Sequence, residues 1–197
     1  MKIEELKQKG NVTVTEVKNG CVKVSADKGF ILKCGDTYTN EIYCAKDVEL
    51  QGYEVVAYSE YLRAENKKKY DGKTLEEAKE MLLAEIDAYD TSSAVNGFML
   101  NGLLVWLDKA TRVGLMNSTT IAKAAGKQTT TLWLGGLKLV VDCDKAIQLL
   151  SALEMYALEC FNVTASHKQA VSELTTIEEV EAYDYKACYP KMLEMSV

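Results

Sequence analysis

Apolar and polar residues alternate along the first part of the chain. Val12-Thr13-Val14-Thr15-Glu16-Val17 is followed, after Asn19-Gly20, by Cys21-Val22-Lys23-Val24-Ser25. This period of two predicts a hairpin, because Asn-Gly accepts the positive φ angles of a tight turn and Val, Thr and Cys suit a pleated, half-buried surface. Further strands are expected through Gly29 to Lys33, Glu41 to Ala45 and Tyr53 to Tyr58. Residues 1–58 therefore read as a small antiparallel β module.

The period then changes from two to that of a helix. A polar stretch, Ser59 to Tyr70, carries Lys67-Lys68-Lys69 and ends before Asp71-Gly72, the best candidate boundary between modules. The lysine run lacks interleaved aromatic residues and reads as a solvated helix face. Thr74-Leu75-Glu76-Glu77 has the form of a capping box, and Leu75, Ala78, Leu82, Ile86 and Tyr89 fall on one helical stripe ending near Asp90. Residues 59–95 form a helical connector in this reading.

Residues from about Asn96 to Val171 repeat one unit, within a ββα-ββα domain that spans 96–190. Two apolar runs, Phe98 to Leu100 and Leu103 to Leu107, flank the turn Asn101-Gly102, and Asp108-Lys109-Ala110 follows. The pattern returns as Leu132 to Leu134 and Leu137 to Val141 around Gly135-Gly136, with Asp144-Lys145-Ala146 opening a longer helix; the two Asp-Lys-Ala starts lie 36 residues apart. Each hairpin is apolar on both faces and cannot stand alone, so the two are expected to share one sheet under their helices. The first helix is expected from Lys109 to Ala125 with Val113, Met116, Ile121 and Ala124 facing inward, stopping at Gly126. The second can reach about Val171 through Ile147, Leu150, Leu153, Ala157, Phe161 and Thr164, a length of about 40 Å that implies either a bend or a partner at its far end. A short helix begins at Thr176, with Glu179 completing a capping box, and residues 191–197 are a tail. The fold class is thus α+β: an antiparallel β module, linking helices, then a ββα-ββα module with a C-terminal helix.

Composition narrows the function classes. With 23 basic and 29 acidic side chains the net charge is −6, which repels phosphate backbones, so nucleic acid is not an expected partner. The start Met1 to Lys7 has no apolar run of the kind a signal peptide needs, and no stretch approaches the roughly 18 to 20 apolar residues of a membrane helix. The expectation is a chain made in the cytoplasm, without a membrane partner. Cys21, Cys34, Cys44, Cys143, Cys160 and Cys188 include no C-x-x-C pair, and the closest two are ten residues apart. Reduced structural thiols are expected rather than a zinc site or disulfides.

The single histidine, His167, follows Cys160 by seven residues. On one helix that separation is roughly 10 Å, too far for a nucleophile and its base, so a surface or interface histidine is the better reading. Gly126-Lys127-Gln128-Thr129 resembles the end of a P-loop, but position 121 is Ile and a helix ends there, so a helix stop is preferred. Asp142 and Asp144 form the nearest carboxylate pair, and Asp108 and Asp144 read as N-caps alongside Thr74 and Thr176. Trp106 and Trp133 read first as core, with an aromatic interface anchor the alternative. No catalytic, cofactor-binding or metal-binding residues are assigned, and no cofactor is expected. Trp106, Trp133 and His167 remain as candidate interface residues.

The second half resembles an uncharacterised domain family encoded in phage and prophage tail gene clusters, including those of gut anaerobes. The resemblance rests on Tyr89-Asp90-Thr91-Ser92-Ser93-Ala94-Val95-Asn96, Asn101-Gly102, Trp106-Leu107-Asp108-Lys109-Ala110-Thr111-Arg112 and Thr130-Thr131-Leu132-Trp133. It continues through Ala152-Leu153-Glu154-Met155-Tyr156-Ala157, Asn162-Val163-Thr164 with His167, Val180 to Tyr185, and Tyr189-Pro190, spanning roughly Lys69 to Pro190. It implies a non-enzymatic structural or interaction protein of the virion, in the tail or tail-fibre region, whose partners are other phage structural proteins or further copies of itself in a homo-oligomer. A tail-fibre assembly chaperone that leaves before the virion matures is the first alternative. A small enzyme using Cys160, Cys188 or an acidic pair is the second.

Overall fold

The fold comes from a computed structural model that describes residues 2–17 and 20–196. It is an α+β protein. In chain order, α1 (Ile3–Gln8) leads into β1 (Val12–Glu16), β2 (Cys21–Ala26), β3 (Phe30–Cys34), β4 (Thr37–Thr39), β5 (Glu41–Ala45) and β6 (Tyr53–Ala57). Helices α2 (Tyr58–Tyr70), α3 (Leu75–Asp90) and α4 (Ser93–Asn96) follow, then β7 (Gly97–Leu100), β8 (Leu103–Trp106), α5 (Lys109–Ala124), β9 (Thr129–Leu134) and β10 (Leu137–Asp142). The chain closes with α6 (Cys143–Glu173), α7 (Ile177–Glu181) and β11 (Leu193–Met195).

The chain divides into two compact units, Met1–Ala78 with Thr175–Asp184 and Lys79–Leu174 with Tyr185–Val197. The first break thus falls within α3, after the Asp71-Gly72 boundary suggested by composition. In the first unit, two three-stranded antiparallel sheets run in the orders β1-β2-β5 and β4-β3-β6. Alternation along β2 buries Val22 and Val24, and these pack with Ile3, Leu6, Val12, Leu32 and Leu50 in one core. Helix α1 was not foreseen: Ile3 and Leu6 are its only buried residues, too few to register as a period. Gly20 takes a φ of 73°, and Asn19, its expected turn partner, lies outside the described residues. Late in the chain, α7 returns to this unit. Its buried Val180 and Glu181 explain the attachment: the Asn66 side-chain amide donates to the Glu181 carbonyl at 2.8 Å, and the Thr176–Glu179 capping box starts the helix.

In the second unit the two hairpins form as expected. Asn101 and Gly102 have φ of 50° and 81°, and Gly135 and Gly136 of 58° and 87°, the left-handed pairs that a two-residue hairpin turn requires. They do not share a sheet. β7 pairs antiparallel with β8 and takes β11 as a parallel neighbour on its other edge, while β9 and β10 form a separate two-stranded sheet. What joins them is α6. Phe98, Leu100 and Val105 of one hairpin and Leu132, Leu134 and Val141 of the other pack with Ala146, Leu150, Leu153, Tyr156 and Cys160 of the helix in a single cluster. A helix stripe thus takes the place of sheet continuity.

Two helix faces differ from the apolar pattern. Of the four residues expected to face inward on α5, Val113, Ile121 and Ala124 are exposed, Ile121 at 68%, and only Met116 packs against the core. The buried positions are Arg112 and Thr119, with Leu115 and Met116 partly buried between them. The stripe is shifted by one residue because Arg112 is satisfied internally, which a count of apolar side chains cannot register. On α6, Phe161 is exposed and Cys160 occupies the inward position.

Gly97 fixes the start of the first hairpin. A Cβ there would lie 2.1 Å from the Ser93 carbonyl oxygen and 3.2 Å from Leu104 Cδ1, although the φ of −72° suits any residue. Gly97→Ala is therefore a purely steric test, and should destabilise the protein by about 1–3 kcal/mol in denaturant unfolding. Gly114→Ala, where the added Cβ meets nothing within 4 Å, should not destabilise it.

Candidate functional site

A cleft of about 490 Å³ opens in the second unit. Three pieces of chain build it. One wall is the turn after α3, contributing Asp90, Thr91 and Asn96; the second is the β8–α5 junction, contributing Trp106, Lys109 and Arg112; the third is α6, contributing Glu154, Leu158 and Phe161.

Each wall is fixed by its own hydrogen bonds. Asn96 Nδ2 donates to the Asp90 carbonyl at 2.7 Å, closing the turn, and Thr164 Oγ1 donates to Asp90 Oδ1 at 2.7 Å. Asp108 caps α5: its Oδ1 accepts from the Thr111 amide at 2.8 Å and its Oδ2 from the Thr111 hydroxyl at 2.7 Å. Those two bonds, the hydroxyl first, hold the Asp108 carboxyl below its usual range. Arg112, 8% exposed, donates from Nη1 to the Leu107 carbonyl at 2.8 Å and from Nε to Glu154 Oε1 at 2.9 Å. This pair bridges α5 and α6 at the cleft. Trp106 and Phe161 are 42% and 62% exposed at the rim.

The other candidate residues fall elsewhere. His167 is buried instead of at the surface: its Nε2 lies 2.9 Å from the Ala187 carbonyl oxygen, and its ring packs against Tyr189 at 5.6 Å. Cys160 is also buried, donating to the Val95 carbonyl, which also accepts from the Tyr156 hydroxyl at 2.7 Å. Burial pushes the Cys160 thiol up, the opposite of what an activated nucleophile needs. All six cysteines are unbonded, and among the described residues no three His, Cys, Asp or Glu side chains are grouped to hold a metal. No helix among them is long and apolar enough to cross a membrane.

Trp133 is not core. It stands 59% exposed on the outer face of β9, across from Lys138, whose ammonium lies over its ring. Thr74 exchanges hydrogen bonds with Glu77 at the start of α3. At α6 the capping residue is Asp142, two residues earlier than the expected Asp144: its Oδ1 accepts from the amides of Asp144 and Lys145, and Asp144 sits inside the first turn, paired with Lys123. The Asp-Lys-Ala repeat is therefore not exact in structure: α5 starts at its lysine, and α6 starts one residue before its aspartate. The Arg112–Glu154 pair escaped notice because its members are 42 positions apart and neither carries a local signal.

The described geometry defines a class before it defines a family: a hairpin-helix α+β domain with a rigid, mixed-charge cleft rimmed by aromatic residues. The chain belongs to the family described as a domain of unknown function, DUF4376, whose model matches residues 77–187, more than half of its length. No curated protein and no solved structure matches the chain.

The capping assignment is tested by two substitutions. Asp142→Ala should cost about 1 kcal/mol of unfolding free energy, and Asp144→Ala clearly less, since an exposed ion pair contributes little. Asp108 gives a pH signature. Its pKa lies below the ordinary 3.8, so its contribution is present above that value and is lost as pH falls through the folded value. Asp108→Asn keeps a capping acceptor without the titration, and its unfolding midpoint should fall less than the parent's between about pH 5 and pH 3.

Proposed function

We propose that the chain is a non-enzymatic structural or interaction protein of a bacteriophage virion, in the tail or tail-fibre region, acting by contact with other virion proteins or with copies of itself. The observation that carries the interaction reading is the outer face of the β9–β10 hairpin. Trp133 and Val140 stand exposed there on a two-stranded sheet to which no third strand pairs among the described residues. Exposed aromatic side chains of this kind anchor interfaces, and open edges accept a further strand. The phage setting is supported by the resemblance of the Tyr89–Asn96, Trp106–Arg112 and Val180–Tyr185 stretches to a domain encoded in tail gene clusters. The net charge of −6 favours solubility before assembly.

The test is mass spectrometry of purified particles of the phage that encodes the chain. The protein is expected at a defined copy number, and Trp133→Asp should reduce that number without unfolding the free protein. Absence from otherwise complete particles overturns the virion reading. If the protein then co-purifies with tail fibre from infected cells, it is an assembly chaperone instead.

A further inference from the structure

The cleft between the Asp90–Asn96 turn, the β8–α5 junction and α6 has a different chemistry from the hairpin face, and it is concave. Its volume of about 490 Å³ lies within the roughly 300–1,000 Å³ of small-molecule sites. The charges around it nearly cancel: Asp90, Asp108 and Glu154 against Lys109 and Arg112. An anionic ligand would meet three carboxylates, and a cationic one would meet Lys109 and the fixed guanidinium of Arg112. A purely apolar ligand would strip water from the remaining hydrogen-bonding capacity of the Arg112–Glu154 pair, which is costly without replacement partners. A neutral ligand rich in hydroxyls avoids all three penalties.

The polar groups are suited to such a ligand. The two bonds Arg112 makes to Leu107 and Glu154 use two of its five N–H groups, so the guanidinium keeps donors for a ligand while its position is fixed. Glu154, with its side chain about one-third exposed, bonds Arg112 through Oε1 and keeps Oε2 as an acceptor. A donor and an acceptor locked side by side match two neighbouring hydroxyls, each of which can give and take a hydrogen bond. The rim supplies the second half of the recognition. Trp106 and Phe161 expose ring surface beside this pair, and the C–H face of a sugar ring packs on an aromatic face as other apolar groups do.

We propose that this cleft binds a neutral saccharide, which packs against both Trp106 and Phe161 while its hydroxyls engage Glu154 and Arg112. The proposal stands on the cleft alone and is independent of whether the protein is found in a virion.

The test is saturation-transfer difference NMR on the full chain with glucose, galactose, mannose, N-acetylglucosamine and their disaccharides at millimolar concentration. At least one sugar is expected to show saturation of its ring C–H protons. Phe161→Ala and Trp106→Ala should each weaken that sugar's binding about tenfold. Met155→Ala, which removes an exposed apolar side chain of α6 that does not line the cleft, should leave binding unchanged. An unfolding curve for each variant identifies any loss caused by misfolding; Phe161, the more exposed of the two aromatics, keeps the test decisive if Trp106→Ala does not fold. The proposal is overturned if no sugar binds, if binding survives both aromatic substitutions in folded protein, or if only charged dipeptides added to the same panel bind.

Discussion

The second unit depends on the buried stripe of α6. Two short hairpins, each apolar on the face it must hide, have no sheet in common, and neither could bury that face by pairing with the other. Ala146, Leu150, Leu153, Tyr156 and Cys160 give both of them one surface to close on. Burial at roughly 25 cal/mol per Å² of apolar area rewards this arrangement whatever the strand pairing. The length of α6 follows from the same need. Its first half serves the hairpins, and its second half, through Thr164 and His167, serves the tyrosine-bearing segment that follows α7.

That later half explains residues that had looked like candidates for chemistry. Thr164 joins Asp90 and Tyr189 by hydrogen bonds, Tyr189 packs edge-on against Tyr89, and His167 meets the Ala187 carbonyl. These polar groups are enclosed and mutually satisfied, and a half-made version of the network would be costly. Asp90 belongs both to this network and to the cleft wall, so the order of the C-terminal segment and the shape of the cleft are linked through one side chain.

Much of the fold was legible in the sequence because it is written locally. Alternation located β1 and β2, the Asn-Gly and Gly-Gly turns located both hairpins, and the capping boxes at Thr74 and Thr176 located two helix starts. What escaped was non-local. β11 is three residues long and exists only because β7 offers it a parallel edge, and the separate sheets follow from α6 being the shared partner. The cleft was legible in part. Trp106 stood out as an aromatic candidate, whereas Arg112 has the character of a surface residue and is buried only because Leu107 and Glu154 satisfy it. The shifted face of α5 has the same cause.

The placement of α7 has a consequence for how such chains can be recombined. The backbone passes from the first unit to the second after Ala78, returns at Thr175 and leaves again after Asp184. The family's residues 77–187 therefore contain twelve that belong structurally with the N-terminal strands, ten of them Thr175–Asp184, and they omit β11, which completes a sheet of the second unit. A graft cut at those limits would carry α7 away from the Asn66 amide that holds it and leave β7 with an open edge. Moving the first unit intact thus requires two separated stretches of chain, Met1–Ala78 and Thr175–Asp184.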